Sequence, residues 1–303
     1  MNLQQYLSIS RDVQQALRLK KPVVALETAS ILCGLPLPHR FSSLQKIHDT
    51  ILKAGATPAF IVIYEGTIQI GLSHEMLFSI SQLTNLSRIT PQDLPFALIS
   101  HRTGAVTSAT GMIAATLGGI NVLSTPCLGG IVQEYFDISA DLYQLQNCSL
   151  AVVSTAVSHG VNLRATKKHL ETIGIPLLGL SALSQMQDTS QPAPNLFMPC
   201  EIITHEQAAK TAKIKWSLGL CGGILFTCGC TENTIYTQPE YENVLMRAKK
   251  QAACQQLQGK DFPAFLSQFM ATHYPQVMQA KVEQSIQCAQ HASSIASLLC
   301  RLR

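Results

Sequence analysis

Lys20-Lys21-Pro22-Val23-Val24-Ala25-Leu26-Glu27 decides the architecture. Pro22 opens a run of apolar residues with no polar alternation, the pattern of a strand covered on both faces in a parallel sheet. Such a strand delivers Glu27 at its carboxyl end, where open α/β folds place their chemistry. Upstream, Ser10 is a plausible N-cap for a helix that sets Val13, Ala16 and Leu17 on one face and ends at the Lys20-Lys21 pair. Downstream, apolar runs at 60–64, 96–100, 120–123, 150–154, 176–180, 201–204 and 223–227 read as strands, most of them followed by a segment of helical period. Thr67–Gly71 follows through a Glu65-Gly66 turn, so one antiparallel hairpin is expected and the sheet is mixed. Beyond Pro239 the spacing becomes helical, with Pro263 and Pro275 as breaks and Val282, Ile286, Ala289 and Ala292 on a long last helix. Gln185 to Asn195, with Pro192 and Pro194, reads as a surface loop.

Of the 303 residues, 47% are hydrophobic and 13% charged, against about 25% charged in an average globular chain. Disorder is excluded, and most of the sequence must be buried. The 22 Lys and Arg exceed the 18 Asp and Glu by only four, and they come as isolated pairs rather than a basic stripe, which argues against a nucleic-acid polymer as partner. Residues 104–133 lack Asp, Glu, Lys and Arg, yet Thr107, Ser108, Thr110, Asn121, Ser124, Thr125 and Pro126 interrupt them, which suits a buried helix, strand and loop rather than a membrane span. No apolar leader precedes a cleavage site in residues 1–19, so a cytoplasmic location is expected. The ten cysteines then read as reduced thiols. Cys228 and Cys230, with Cys221 upstream, lack the paired spacing of a zinc site.

Several groups could carry chemistry. The Thr125–Gly130 loop follows a buried strand and allows close backbone approach to a phosphate, although neither phosphate-loop fingerprint is present. Asp137 and Asp141, four apart around Ser139, would share a face of one helical turn, either as capping groups or as ligands of a hard cation. His74, His101 and His159 have no carboxylate at useful spacing and read as structural.

Taken in order, 20–27, 34–38 (Gly-Leu-Pro-Leu-Pro), 55–59 (Gly-Ala-Thr-Pro-Ala), 93–96 (Asp-Leu-Pro-Phe), 136–142 (Phe-Asp-Ile-Ser-Ala-Asp-Leu), 170–176 (Leu-Glu-Thr-Ile-Gly-Ile-Pro) and 215–223, from Lys215-Trp216 to Gly222-Gly223, resemble the pseudouridine-5'-phosphate glycosidases, also called the indigoidine synthase A family. The resemblance implies a single domain over 1–303 with a three-layer α/β/α fold and a mixed sheet, assembled as a homotrimer. It further implies reversible cleavage of pseudouridine 5'-phosphate to uracil and ribose 5-phosphate with a divalent cation, typically Mn²⁺. A carbon-linked base leaves poorly, so the family opens the ribose and forms an imine with a Lys, while a Glu moves protons. Carried over by position, Glu27 is the proton-transfer group, Asp137 the cation ligand, and Ser108, Ser139, Ala140 and Asp141 bind substrate.

The same alignment places Ser158 at the imine-forming Lys, Arg88 at a phosphate- and sugar-binding Lys, and Val132 near a phosphate-binding His. Cys33 replaces a His, Arg40 an Asn, and Lys281 an Asn lining the sugar site. Serine cannot form an imine. Two expectations follow: an amine supplied by Lys167, Lys168 or Lys281 in a working glycosidase, or a catalytically degenerate relative that binds a sugar phosphate or a protein partner.

Overall fold

Val23–Leu26 is the second strand of a ten-stranded sheet and is buried at every position. The computed structural model describes residues 3–132, 137–157, 161–180, 186–187, 196–197, 201–229, 239–257 and 261–302. Ser158, His159, Cys230 and most of the 185–195 loop lie outside them. In chain order the first half holds β1 (Leu7–Ile9), α1 (Arg11–Arg18), β2 (Val23–Leu26), α2 (Ala29–Leu32), α3 (Leu37–Lys53), β3 (Thr57–Tyr64), β4 (Thr67–Ile70), α4 (His74–Ser81), β5 (Ser87–Ile89), α5 (Leu94–Ile99), β6 (Gly104–Val106), α6 (Ser108–Leu117) and β7 (Val122–Ser124). Then come β8 (Cys127–Leu128), β9 (Ile131–Val132), β10 (Asp137–Ile138), α7 (Ala140–Gln146), β11 (Ala151–Ser154), β12 (Ala156–Val157), α8 (Leu163–Thr172) and β13 (Leu177–Gly179). The chain closes with β14 (Met186–Gln187), β15 (Leu196–Phe197), α9 (His205–Ser217), β16 (Ile224–Thr227), α10 (Pro239–Cys254), α11 (Asp261–His273) and α12 (Gln276–Arg301).

Strands β3, β2, β7, β11, β16 and β13 run parallel in that spatial order, while β4 and β6 pair antiparallel with β3, so the sheet is mixed. The β3–β4 hairpin turns at Glu65 and Gly66, whose φ of 46° and 77° are the left-handed pair a two-residue hairpin needs. Strand alternation divides the core. Val24, Leu26, Phe60, Val62, Val153 and Phe226 face a layer with α3, α9 and α12, and Ala25, Ile61, Leu123, Val152 and Leu225 face the layer with α1, α6 and α7. That is the three-layer α/β/α arrangement. A third apolar cluster joins α10, α11 and the start of α12 through Tyr241, Leu266, Met270 and Val277.

The crossover from β2 to β3 runs through α3 on the first face, whereas the one from β7 to β11 runs through α7 on the second. The connections therefore diverge at the carboxyl ends of β2 and β7, the position at which open α/β folds form their binding crevice. β6 sharpens that divergence. Beside β3, β2 ends opposite Phe60 and β6, running the other way, ends just beyond Val62, so the two strands meet end to end at Glu27. Thr28 fastens the junction: its hydroxyl donates to the Ile61 carbonyl (2.7 Å) and accepts from the Val106 N–H (3.2 Å).

Two expected strands are not strands. Residues 96–100 lie in and just after α5, which begins where Asp93 binds the N–H and hydroxyl of Thr90 and Pro95 occupies the first turn. So short an apolar run carries no period that separates helix from strand. Residues 201–204 make only a single bridge, from Ile202 to Gly179, because Thr204 is committed to capping α9. Pro263 falls in the first turn of α11 rather than breaking a helix, a position where a missing N–H costs nothing. Thr204 and Gln207 form a reciprocal capping box, with Gln207 N–H to Thr204 Oγ1 at 3.2 Å and Thr204 N–H to Gln207 Oε1 at 2.8 Å. Thr204→Ala should lower the unfolding free energy by about 1 kcal/mol, measured by urea denaturation.

Candidate active site

Glu27 occupies the β2–β6 junction with 6% of its surface exposed. Its Oε2 accepts the Ser30 N–H at 3.1 Å, and its buried Oε1 has no hydrogen-bond partner among the described residues. Gly111 of α6 lies against it, in a place where an added Cβ would stand 3.4 Å from Glu27 Cβ. Burial pushes the Glu27 carboxyl above its ordinary range; Ser30 and the Arg88 charge pull it partly back, and Asp141 pushes it further up. A buried carboxyl that holds its proton more tightly than usual, with one oxygen unengaged, can both give and take a proton.

Asp141 organises the adjoining loop. Ser139 caps α7 by accepting the Asp141 N–H at 3.2 Å. The Asp141 carboxylate accepts the Ala109 N–H at the start of α6 (2.8 Å) and the Gly129 N–H (2.7 Å). Burial raises its pKa, while those N–H groups, Arg88 and Ser139 offset the shift. Ser108 joins the same network through Thr125 (Oγ to Oγ1, 3.0 Å), and Thr125 in turn donates to the Cys127 carbonyl (2.8 Å). The Thr125–Gly130 segment is thus held by side chains on its inner side, and Gly129 has no room for a Cβ, which would fall 2.0 Å from Ser139 Oγ.

Asp137 and Asp141 do not share a helical turn. Asp137 sits on β10, paired with Val132 of β9, and Ser139 begins the helix between them, so the expected facing pair of carboxylates is corrected to one on a strand and one in a helix. Ala140 is exposed at the first position of α7, and Val132 is half-buried. No group of three His, Cys, Asp or Glu side chains able to hold a metal occurs among the described residues. Asp137 alone does not make a protein cage for a cation, so a hard cation held there would have to complete its shell with water or substrate oxygens.

Arg88 on β5 completes the electrostatics, since its charge acts on Glu27, Asp141, Cys33 and Lys281 together. Cys33, at the end of α2, has its thiol pushed up to about 11 by burial, with Arg88 and Arg40 opposing. Arg40 is tied to backbone, donating to the carbonyls of Leu35 (2.9 Å) and Leu83 (2.8 Å), and reaches the site only through its charge on Cys33. Lys281 of α12 is buried and its charge interacts with Cys127, Glu27 and Arg88. The sequence named Lys281 but gave no sign of its burial. It also missed Thr28 and Ser30, whose roles depend on where β6 ends. A depression lined by Leu17, Lys21, Val23, Asn121, Val122 and Leu299, among others, lies at the opposite end of β2 and β7 and has no carboxylate in its lining.

Among the described residues no helix is long and apolar enough to cross a membrane, and the eight cysteines among them are free thiols. The family described as indigoidine synthase A like protein matches residues 12–298. The chain is 33% identical over 300 residues to a pseudouridine-5'-phosphate glycosidase of Petrotoga mobilis, covering 98% of each chain. It is 33% identical over 264 residues to the enzyme of that name from Escherichia coli K12, covering 86% of this chain and 84% of the relative. Two solved structures share the fold at a TM-score of 0.83. One is a prealnumycin C-glycosynthase in complex with ribulose 5-phosphate (24% identity, 98% of each chain), and the other an indigoidine synthase A-like protein from Thermotoga maritima (21%, 97% of each).

Proposed function

The chain belongs to the indigoidine synthase A-like family, and from that premise we propose that it acts on a pentose 5-phosphate, making or breaking the carbon–carbon bond between the sugar and uracil, as a pseudouridine-5'-phosphate glycosidase does. The observation that carries the reading is Glu27: a buried, protonatable carboxyl at the divergence of β2 and β7, with one oxygen unengaged by the described residues. In the cleavage direction Glu27 delivers a proton to the departing base carbon, and in synthesis it takes that proton back. Arg88 supplies positive charge to the phosphate through its planar guanidinium fork. Asp141 ties the 125–130 loop to the start of α6 through the Gly129 and Ala109 N–H groups, which keeps that loop beside Glu27's end of the sheet. A hard divalent cation such as Mn²⁺ would take Asp137 as its protein ligand and add positive charge near the phosphate.

The test is direct. Protein incubated with uracil, ribose 5-phosphate and Mn²⁺ should form pseudouridine 5'-phosphate, detected by chromatography and mass. No product from protein shown to be folded overturns the reading. Ser158, at the position of the family's Lys, favours a second reading: a relative that binds the pentose phosphate without turning it over. Calorimetric binding of ribose 5-phosphate with no product in the same preparation would establish that one instead.

A further inference from the structure

Lys281 lies on the buried face of α12, among Ala280, Gln284, Ser285 and Cys288, with 6% of its surface exposed. A lysine so placed has lost most of its water, and a buried ammonium that merely holds a fold together is normally paired with a carboxylate or saturated with acceptors. Lys215, at 7% exposure, shows the structural solution: its Nζ donates to the carbonyls of Leu220 and Cys221. Lys281 shows the other. Among the described residues its one hydrogen bond is a long one to Ser267 Oγ, at 3.4 Å, although an ammonium has three protons to donate. No described carboxylate lies within ion-pair distance of it, so Glu27 acts on it across a gap rather than by contact.

Where the nitrogen points is fixed from the other side. Its Nζ stands 3.1 Å from the position a Cβ on Gly34 would take, in the connection between α2 and α3 that leads away from Glu27. The charged or ionisable groups that act on it are Cys127 of the 125–130 loop, Glu27 and Arg88, which come from three separate elements and are the groups of the candidate site. Burial and the Arg88 charge favour its neutral amine, while Glu27 and Cys127 oppose. The sequence offered three lysines as amine donors, and the structure separates them. Lys168 is 75% exposed at its side chain and pairs with Glu171 at 3.1 Å, and Lys167 lies beside it on the half-exposed part of α8.

We propose that Lys281 is the nucleophilic amine of this site and captures the open-chain aldehyde of a pentose 5-phosphate as an imine. The inference rests on the pentose phosphate reading above. The neutral amine adds to C1, forming the N–C bond while the carbonyl electron pair moves to oxygen. That oxygen takes up a proton, the nitrogen loses one, and the resulting hydroxyl leaves as water with a proton from Glu27, which gives a protonated imine beside the Glu27 carboxylate. Amine, aldehyde and the Glu27 proton are thus converted to iminium and water with no change in oxidation state. The C=N carbon is then the electrophile that the uracil carbon attacks, its electron pair moving to nitrogen while the Glu27 carboxylate takes the proton from that uracil carbon. In cleavage the nitrogen pair re-forms C=N and expels the base carbon, which takes a proton from Glu27.

The experiment is reductive trapping. Folded full-length protein is mixed with ribose 5-phosphate and sodium borohydride, which reduces C=N to a stable secondary amine, then digested and mapped by mass spectrometry. The expected result is one reduced pentose phosphate on the peptide holding Lys281, lost in Lys281→Arg and retained in Lys168→Met. Arginine keeps the buried charge without a transferable amine, so it separates chemistry from folding, and circular dichroism checks the fold. An adduct at Lys281 without C-glycoside synthesis upholds the amine and removes the glycosidase reading. Synthesis with no adduct at Lys281, or an adduct on another lysine, overturns the amine and leaves that reading standing. Neither adduct nor product removes both.

Discussion

Glu27→Gln should reduce C-glycoside formation by about 10² to 10⁴-fold, the usual worth of a general acid or base, while making the protein more stable at neutral pH. The two effects share one cause. Burial raises the Glu27 pKa in the folded state above its unfolded value. As pH rises from the unfolded value through the folded one, the native state keeps a proton that the unfolded chain has released, so stability falls across that window and stays lower above it. Glutamine has the same shape and never ionises. Its amide oxygen can still accept the Ser30 N–H that now reaches Glu27 Oε2 at 3.1 Å. Urea denaturation at a series of pH values should therefore give coincident curves for wild type and variant in acid and a more stable variant toward neutrality. A variant that retained its rate would remove Glu27 from proton transfer. One that lost stability at neutral pH would mean that Arg88 and Ser30 more than compensate the buried charge, contrary to the direction of the shift.

The strand that ends at Glu27 is legible because burial on both faces writes a continuous apolar run, and the hairpin is legible because Glu65-Gly66 separates the apolar run of β3 from the alternating Thr67–Ile70. The α5 segment is not. Phe96 and Ile99 are apolar yet exposed, so their hydrophobicity reports a surface rather than a core, and Asp93 with Pro95 starts a helix by local bonding that a search for apolar runs does not weigh. The site divides in the same way. Glu27 is announced by its own strand, whereas Lys281 is one polar residue in a long helix, and only packing of α12 against the β2 and β7 side of the sheet brings its amine to the site. Asp137 and Asp141 read as partners because four residues is a helical spacing. The spacing says nothing about where the helix starts, and Ser139 starts it between them.

Asp141→Ala is expected to destabilise the protein by about 3 kcal/mol or more, because it leaves two N–H groups without partners and each orphaned buried donor costs about 1–3 kcal/mol. Both lost bonds are short, 2.8 Å from Ala109 and 2.7 Å from Gly129. They are also the tie between the α6 N-terminus and the 125–130 loop, so the loop should loosen as stability drops. Gly129→Ala attacks the same tie from the other end. Its Cβ would meet Ser139 Oγ at 2.0 Å and Ser139 Cβ at 2.6 Å, and Ser139 is fixed as the cap of α7, so the backbone must move away and the bond to Asp141 Oδ2 is lost with it. Overpacking of this kind costs about 1–3 kcal/mol. Because both substitutions break the Gly129 to Asp141 bond, the double variant should lose less than the sum of the single losses, by about 0.5 kcal/mol or more. Urea unfolding of the four proteins measures the cycle. Simple additivity would mean that Gly129 reaches the Asp141 carboxylate too weakly to matter, and the loop would then owe its place to Thr125, Thr155 and Thr166, whose hydroxyls bond its backbone at the Cys127 and Pro126 carbonyls and the Ile131 N–H.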